Sequence, residues 1–169
     1  MELHTFSVAR LLITNLKLEI LPVKLQIAWV GKTKEPAIQS LTAEYLKRIS
    51  RHVPSESHEL QAEAALLKLA EHTSGRTKPV LILLDARGRQ FTSEEFAQIL
   101  RDQQDRGTQN LLFAIGPADG FSDHARGAAD LILSFGKMTL AHELARIVLL
   151  EQIYRAFTIL KGHPYHTGH

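Results

Sequence analysis

The residues best equipped for chemistry crowd the end of the chain. Four of its nine histidines, His142, His163, His166 and His169, fall after residue 141, with Glu143, Arg155 and Tyr165 among them. His142-Glu143 opens like the HExxH pattern, in which two histidines one helical turn apart bind zinc beside a glutamate base. Position 146 is Arg, so the pair fails as a metal site. His163, His166 and His169 recur every third residue, which leaves both a metal-binding tail and a plain polar terminus open. Arg155 follows Glu151 by four residues on a predicted helix. That orientation describes an ordinary surface ion pair, contributing ~0.3–0.5 kcal/mol, unless the guanidinium faces a pocket.

A pocket has its own signal. Three glycine-bearing segments, residues 85–89, 116–120 and 135–141, each follow an apolar run that reads as a strand. In open α/β sheets, ligands collect outside the carboxyl ends of the strands. Glycine lets backbone N–H and C=O groups approach a ligand closely. Neither a GxGxxG fingerprint nor a GxxxxGK[ST] loop occurs, which argues against dinucleotide and P-loop nucleotide sites.

The elements that must position these groups can be read in order. Residues 24–30 alternate into an apolar run that stops at Gly31, a strand and a turn. Residues 35–51 carry Ile38, Leu41, Tyr45, Leu46 and Ile49 at helical spacing. A weak strand over 54–60 precedes an Ala/Leu-rich helix over 61–72. Residues 79–84, PVLILL, form a short continuous apolar run, the mark of a strand covered on both faces. Residues 85–89 then read as a loop. Thr92 or Ser93 caps a helix with early acids Glu94 and Glu95, running to about residue 105. A buried strand over 111–115, a short helix over 123–129 and a fifth strand over 130–134 follow. The last helix, 139–161, is apolar on most of its circumference, so it must be buried on more than one side. With one core to face, its second cover is expected to be a partner subunit. Alternation of strands and helices gives an α/β class with a mainly parallel sheet and helices on both faces.

The chain of 169 residues is long enough for one domain with a sizeable core. Its net charge of +2 is small, though a sequence pI near 9.0 leaves a nucleic-acid partner open. It has no cysteine, which removes disulfides and thiolate metal sites and suits a reducing cytosol. In residues 1–22, Arg10, Lys17 and Glu19 interrupt every spanning run, and no signal-peptide pattern is present. The expectation is a cytoplasmic protein with no membrane association.

Leu133-Ser134, Met138-Thr139, His142, Arg146, Glu151-Gln152, Tyr154-Arg155-Ala156 and Gly162-His163-Pro164-Tyr165-His166 together resemble a known bacterial family. It is the SPOUT-class ribosomal RNA large subunit methyltransferase H family, which methylates N3 of a pseudouridine in 23S rRNA. The likeness spans residues 23–166, and includes Val30-Gly31-Lys32, the helix segment from Glu44 to Arg48, Gly88, and the segment from Ser93 to Ala97. The resemblance implies a deep trefoil knot at the C-terminal end, which sequence rules would not propose. It implies a homodimer packed through the last helix, S-adenosylmethionine as cofactor, and the assembled ribosome as partner. Cofactor contacts would come from Leu84, Gly116, Pro117, Gly136, Lys137, Met138, Thr139, Leu140 and Ala141. Arg155, Tyr165 and His166 would belong to the substrate side, Arg155 stabilising charge on the base and Tyr165 or His166 positioning it or taking its proton. No metal is implied. Arg87, Arg89, Lys32, Lys34 and Lys47 are weaker candidates for RNA phosphates.

Two departures from the family pattern stand out. Gly116-Pro117 replaces Gly-Gly, so a cofactor contact at Pro117 must use its carbonyl or its packing. The chain also closes Thr167-Gly168-His169, without the usual basic residue after His166. Residues 1–22 have no counterpart in the family, and translation is expected to begin at Val23. The rivals are a non-catalytic ribosome-binding relative that has lost the cofactor, and a protein binding metal through its terminal histidines.

Overall fold

The computed structural model describes residues 23–72 and 77–167, with side chains as far as Tyr165. The expectations for residues 1–22, for the His166 side chain and for His169 lie outside the described residues. Within them, five strands form one parallel sheet: β1 (Lys24–Val30), β2 (Ser55–Leu60), β3 (Val80–Gln90), β4 (Asn110–Ile115) and β5 (Leu131–Ser134). Their order across the sheet is β2-β1-β4-β3-β5. The helices between them are α1 (Pro36–Ser50), α2 (Glu63–Glu71), α3 (Ser93–Asp105), α4 (Asp123–Ala128) and α5 (His142–Leu160), followed by a 3₁₀ turn, Pro164–Thr167.

Side-chain alternation splits the core into two layers. Leu25, Ile27, Ile82, Leu111 and Phe113 point to one face, where they meet Ile49 of α1, Phe96 and Leu100 of α3, and Leu149 and Ile153 of α5. Ala28, Leu81, Leu83, Leu112 and Ala114 point to the other face, toward Leu66 of α2, Ala125 of α4 and Phe121. Both faces of the sheet are therefore covered, as its all-parallel pairing requires.

Local signals set the helix starts. Pro36 occupies the first turn of α1, where its missing N–H costs nothing. Thr92 caps α3 in a reciprocal box: its hydroxyl accepts from Glu95 N at 3.1 Å, and Glu95 Oε2 accepts from Thr92 N at 2.7 Å.

One sequence expectation is corrected. Residues 85–89 do not form a free loop; β3 continues to Gln90. It pairs with β5 through Ile82–Leu84, leaves the ladder, and returns to pair Arg89 with Leu133 and Gln90 with Ser134. Leu133 is thus paired twice. The excursion between hugs β5 so tightly that a Cβ on Gly88 would stand 2.6 Å from the Ile132 carbonyl. The partner strand lies more than forty residues downstream, so local composition carries no trace of this second pairing.

Candidate active site

Strands β4, β3 and β5 lie side by side and point their carboxyl ends the same way. Beyond those ends is a cavity of about 320 Å³, within the range of small-molecule sites. It is lined by residues of the three segments singled out by sequence and of their flanks, and by His142 and Ala145 on the first turn of α5. Of the nine residues expected to contact a cofactor, Leu84, Gly116, Pro117, Gly136, Met138, Thr139 and Leu140 line this cavity. Lys137 and Ala141 belong to the same connecting segment but are not lining residues.

The backbone at the mouth is built for close approach. Gly136 has φ of 138°, and a Cβ there would meet no atom within 4 Å, so the wall is bare main chain facing open space. Ser134, itself buried, fixes this turn: its Oγ donates to Gly136 O at 3.0 Å and lies 3.1 Å from Gly136 N, which donates to it. Pro117 O accepts from Gly120 N at 2.9 Å, closing a tight turn. One lone pair of the Pro117 carbonyl is thus engaged, so the residue offers its packing and one further acceptor position.

The cavity has two chemical halves. Leu84, Ile115, Phe121, Met138 and Leu140 give an apolar half, and Met138 is 86% exposed beside it. Asp85, Arg87, Asp119 and Arg126 give a charged half. Asp85, with a side chain only 7% exposed, accepts from Arg126 Nε at 3.0 Å and from Arg87 N at 2.9 Å. Arg126 also donates through Nη1 to Asp123 at 2.9 Å. Asp85 and Arg126, which stand 41 residues apart, were not singled out by sequence; only the lone acid directly after an apolar strand hinted at the first.

Arg155 and Tyr165 are not in this cavity. Arg155 lies thirteen residues beyond His142 on α5, about 20 Å along the axis at 1.5 Å per residue. Arg155 donates to Glu151 Oε1 through Nε at 2.9 Å and Nη2 at 2.6 Å. Tyr165 OH donates to the same oxygen at 3.3 Å, and the guanidinium lies over the Tyr165 ring at 5.2 Å. The expected i,i+4 pair exists, then, as part of a larger cluster. Tyr165 packs edge-on against Tyr154 at 4.9 Å, and Tyr154 lies 6.4 Å from Tyr45 of α1. Burial, reinforced by Tyr45 and Glu151, pushes the Tyr165 phenol up to about 12. The hydrogen bond to Glu151 holds Arg155 above its already high value.

Between cavity and cluster, α5 is strapped to the segment after β1. Glu143 Oε1 accepts from Lys34 N at 2.7 Å, and Arg146 Nη1 donates to Thr33 Oγ1 at 2.9 Å. Arg146 is 1% exposed and lies over the Trp29 ring at 4.3 Å. That desolvated cation–π contact offsets part of the cost of its unpartnered Nε and Nη2. In the sequence Arg146 stood out for what it prevented, a zinc motif, while its place is in the core.

Comparison with known proteins narrows the identity. The family described as "Predicted SPOUT methyltransferase" matches residues 23–166. The ribosomal RNA large subunit methyltransferase H of Koribacter versatilis (strain Ellin345) is 58% identical over 147 residues, covering 87% of this chain and 100% of that protein. Its namesake from Geobacter sp. (strain M21) is 43% identical over 152 residues, covering 85% and 99%. Among solved structures, a probable methyltransferase from Bordetella pertussis Tohama I aligns with a TM-score of 0.54 at 9% identity, covering 80% of this chain and 95% of that one. The SpoU methyltransferase AviRb from Streptomyces viridochromogenes, solved with AdoMet, aligns with a TM-score of 0.52 at 15% identity, covering 79% and 58%. Those two likenesses carry the fold alone. The chain belongs to the SPOUT methyltransferases, in the ribosomal RNA large subunit methyltransferase H family.

Proposed function

We propose that the protein methylates N3 of a pseudouridine in 23S rRNA on the assembled ribosome, using S-adenosylmethionine, as a homodimer in the cytoplasm. The observation that carries this reading is the cavity at three adjacent strand ends, walled by seven residues that the family resemblance independently names. The relatives' printed names support an rRNA methyltransferase, and AviRb was solved with AdoMet. The lining fits such a ligand: bare glycine backbone and apolar side chains suit a nucleoside, and a charged half suits an amino-acid end.

When bound, S-adenosylmethionine supplies an electrophilic methyl group. Leu84, Gly116, Pro117, Gly136, Met138, Thr139 and Leu140 hold and orient it, with Lys137 and Ala141 completing the segment that carries four of them. Methylation exchanges the N3–H bond of the base for an N3–C bond, so negative charge develops on the base as its proton leaves. Arg155 stabilises that charge. Its Nη1, without a hydrogen-bond partner among the described residues, is available to the base, while Glu151 fixes the rest of the guanidinium. Tyr165, held as a neutral phenol whose O–H is donated to Glu151, orients the base through its ring and through its oxygen as an acceptor. The proton acceptor is then His166 or solvent.

The distance of about 20 Å along α5 between cavity and Arg155 favours a site shared between two copies. Leu144 (53% exposed) and Val148 stand one turn apart on the outer side of α5, and Leu41 of α1 is also exposed. A second copy covering this face would bring its Arg155 to the first copy's cavity. Arg87, which is exposed beside the cavity, and Lys32 and Lys34 ahead of α1 are suited to RNA phosphates.

Transfer of labelled methyl from S-adenosylmethionine to intact 70S ribosomes, with separated subunits and naked rRNA as comparisons, tests the reading. The expected result is one modified base in 23S rRNA, methylated fastest on the assembled ribosome. Calorimetry showing no S-adenosylmethionine binding would place the protein instead with relatives that only bind the ribosome.

A further inference from the structure

We propose that the charged half of the cavity is a clamp for a zwitterionic α-amino acid, in which Arg126 takes the carboxylate and Asp119 the ammonium group. The inference rests on the cofactor reading above and assigns one end of that ligand to two residues that the family resemblance does not name.

The Arg126 side chain is only 17% exposed, and it is not free to turn. Asp85 holds its Nε and Asp123 holds its Nη1, at 3.0 and 2.9 Å. The planar guanidinium is therefore fixed, with its Nη2 making no hydrogen bond among the described residues. That edge abuts the Gly120 turn, since a Cβ on Gly120 would stand 3.8 Å from Nη2. Gly120 and Arg126 both line the cavity. A largely buried guanidinium edge held open by two carboxylates is a preorganised site for an anion.

The charges exclude a simple anion such as a phosphate. Asp85, Asp119 and Asp123 outnumber Arg87 and Arg126 in this corner, so a dianion would meet net repulsion. Two of the three acids are occupied: Asp85 pairs with Arg126, and Asp123 pairs with Arg126 and, at 3.8 Å, with Arg87. Asp119 has no such partner among the described residues, and it lines the cavity two residues after the engaged Pro117. One open cationic edge and one open carboxylate match a group that carries both charges. The apolar half would receive the remainder of the ligand.

The test uses S-adenosylmethionine and its decarboxylated analogue, which keeps the nucleoside, sulfonium and ammonium and lacks only the carboxylate. Calorimetric affinities are measured for the wild type, Arg126→Met and Asp119→Asn, with thermal melts to show that each is folded. The wild type should bind the decarboxylated analogue roughly 10- to 100-fold more weakly, the range for one charge-assisted hydrogen bond. Arg126→Met should lose that discrimination and bind both ligands about equally. Asp119→Asn should weaken both ligands alike, because both keep the ammonium. A wild type that binds the two ligands equally overturns the carboxylate assignment without recourse to any variant. Discrimination that survives in Arg126→Met does the same, and unchanged binding in Asp119→Asn overturns the ammonium assignment. Failure of the wild type to bind S-adenosylmethionine at all sinks the cofactor reading itself, and the clamp with it.

Discussion

At neutral pH Tyr165 is a donor. Its phenol is raised to about 12 by burial and by Tyr45 and Glu151, so no phenolate forms in the working range. The folded pKa stands above the ordinary value of 10.0, so this group's contribution to stability is intact below pH 10.0 and is lost as pH rises toward about 12. Chemical denaturation across that alkaline window should show a loss that Tyr165→Phe diminishes. The same variant should slow methyl transfer while leaving the neutral pH–rate profile unchanged in shape; a shifted profile would mean that Tyr165 itself exchanges the proton. Arg155→Ala should lower kcat by about 100- to 1,000-fold, the loss typical for one donor to a developing anion. Its effect on S-adenosylmethionine affinity should be small, because Arg155 is assigned to the base and is not among the residues that line the cavity. Normal turnover of labelled methyl by Arg155→Ala on ribosomes would remove it from the mechanism.

Helix α5 gives the element scale its two ends: cavity residues on its first turn and the Arg155–Tyr165 cluster near its last. Leu144→Asp or Val148→Asp should convert a dimer to a monomer in sedimentation, with unchanged circular dichroism and with methyl transfer abolished. A dimer that persists would mean that the partner covers some other face. Thr92→Ala removes the side-chain bond that caps α3 and should cost about 1 kcal/mol, or about 2–4 °C in melting temperature. What the sequence made legible follows the same logic of locality. β1 and α3 could be read because alternation and caps are written within a few residues. The all-round apolar pattern of α5 announced a second cover, and Leu144 and Val148 are left bare. The pairing of Arg89 and Gln90 with β5 was not legible, because it depends on a strand that arrives forty residues later. Nor was the Asp85–Arg126 pair, whose members meet only when β3 and α4 converge. The cavity was legible as three glycine segments, and its charged half was not.

For the whole molecule, the central expectation is that neither chain holds a complete site. Mixing Arg155→Ala with a variant whose cavity is blocked, such as Gly136→Trp, tests this directly. Each should be nearly inactive alone, yet a mixed dimer would retain one intact cavity facing one intact Arg155. Random exchange should restore about a quarter of wild-type activity, since half the dimers are mixed and each has one of two sites. No recovery, with exchange verified by mass, would locate cavity and Arg155 function in one chain. Gly88→Ala probes the other molecule-wide feature. Its Cβ would collide with the Ile132 backbone at 2.6 Å, where no side chain can give way, so soluble yield should collapse. A chain carrying Arg106→Ala, an exposed change at the end of α3, should fold as the wild type does.

β5 is the outermost strand of the sheet, the position from which a chain is ordinarily peeled one bond at a time when pulled from its end. Here β3 grips it twice, at Ile82–Leu84 and again at Arg89 and Gln90, with the Gly88 backbone pressed against it between. Tension applied at the C-terminus meets the Arg89–Gln90 grip first and the Ile82–Leu84 grip behind it, with both held at Leu133. Pulled by optical tweezers or by the motor of a protease, the protein should resist from its C-terminal end with a force unusual for an edge strand.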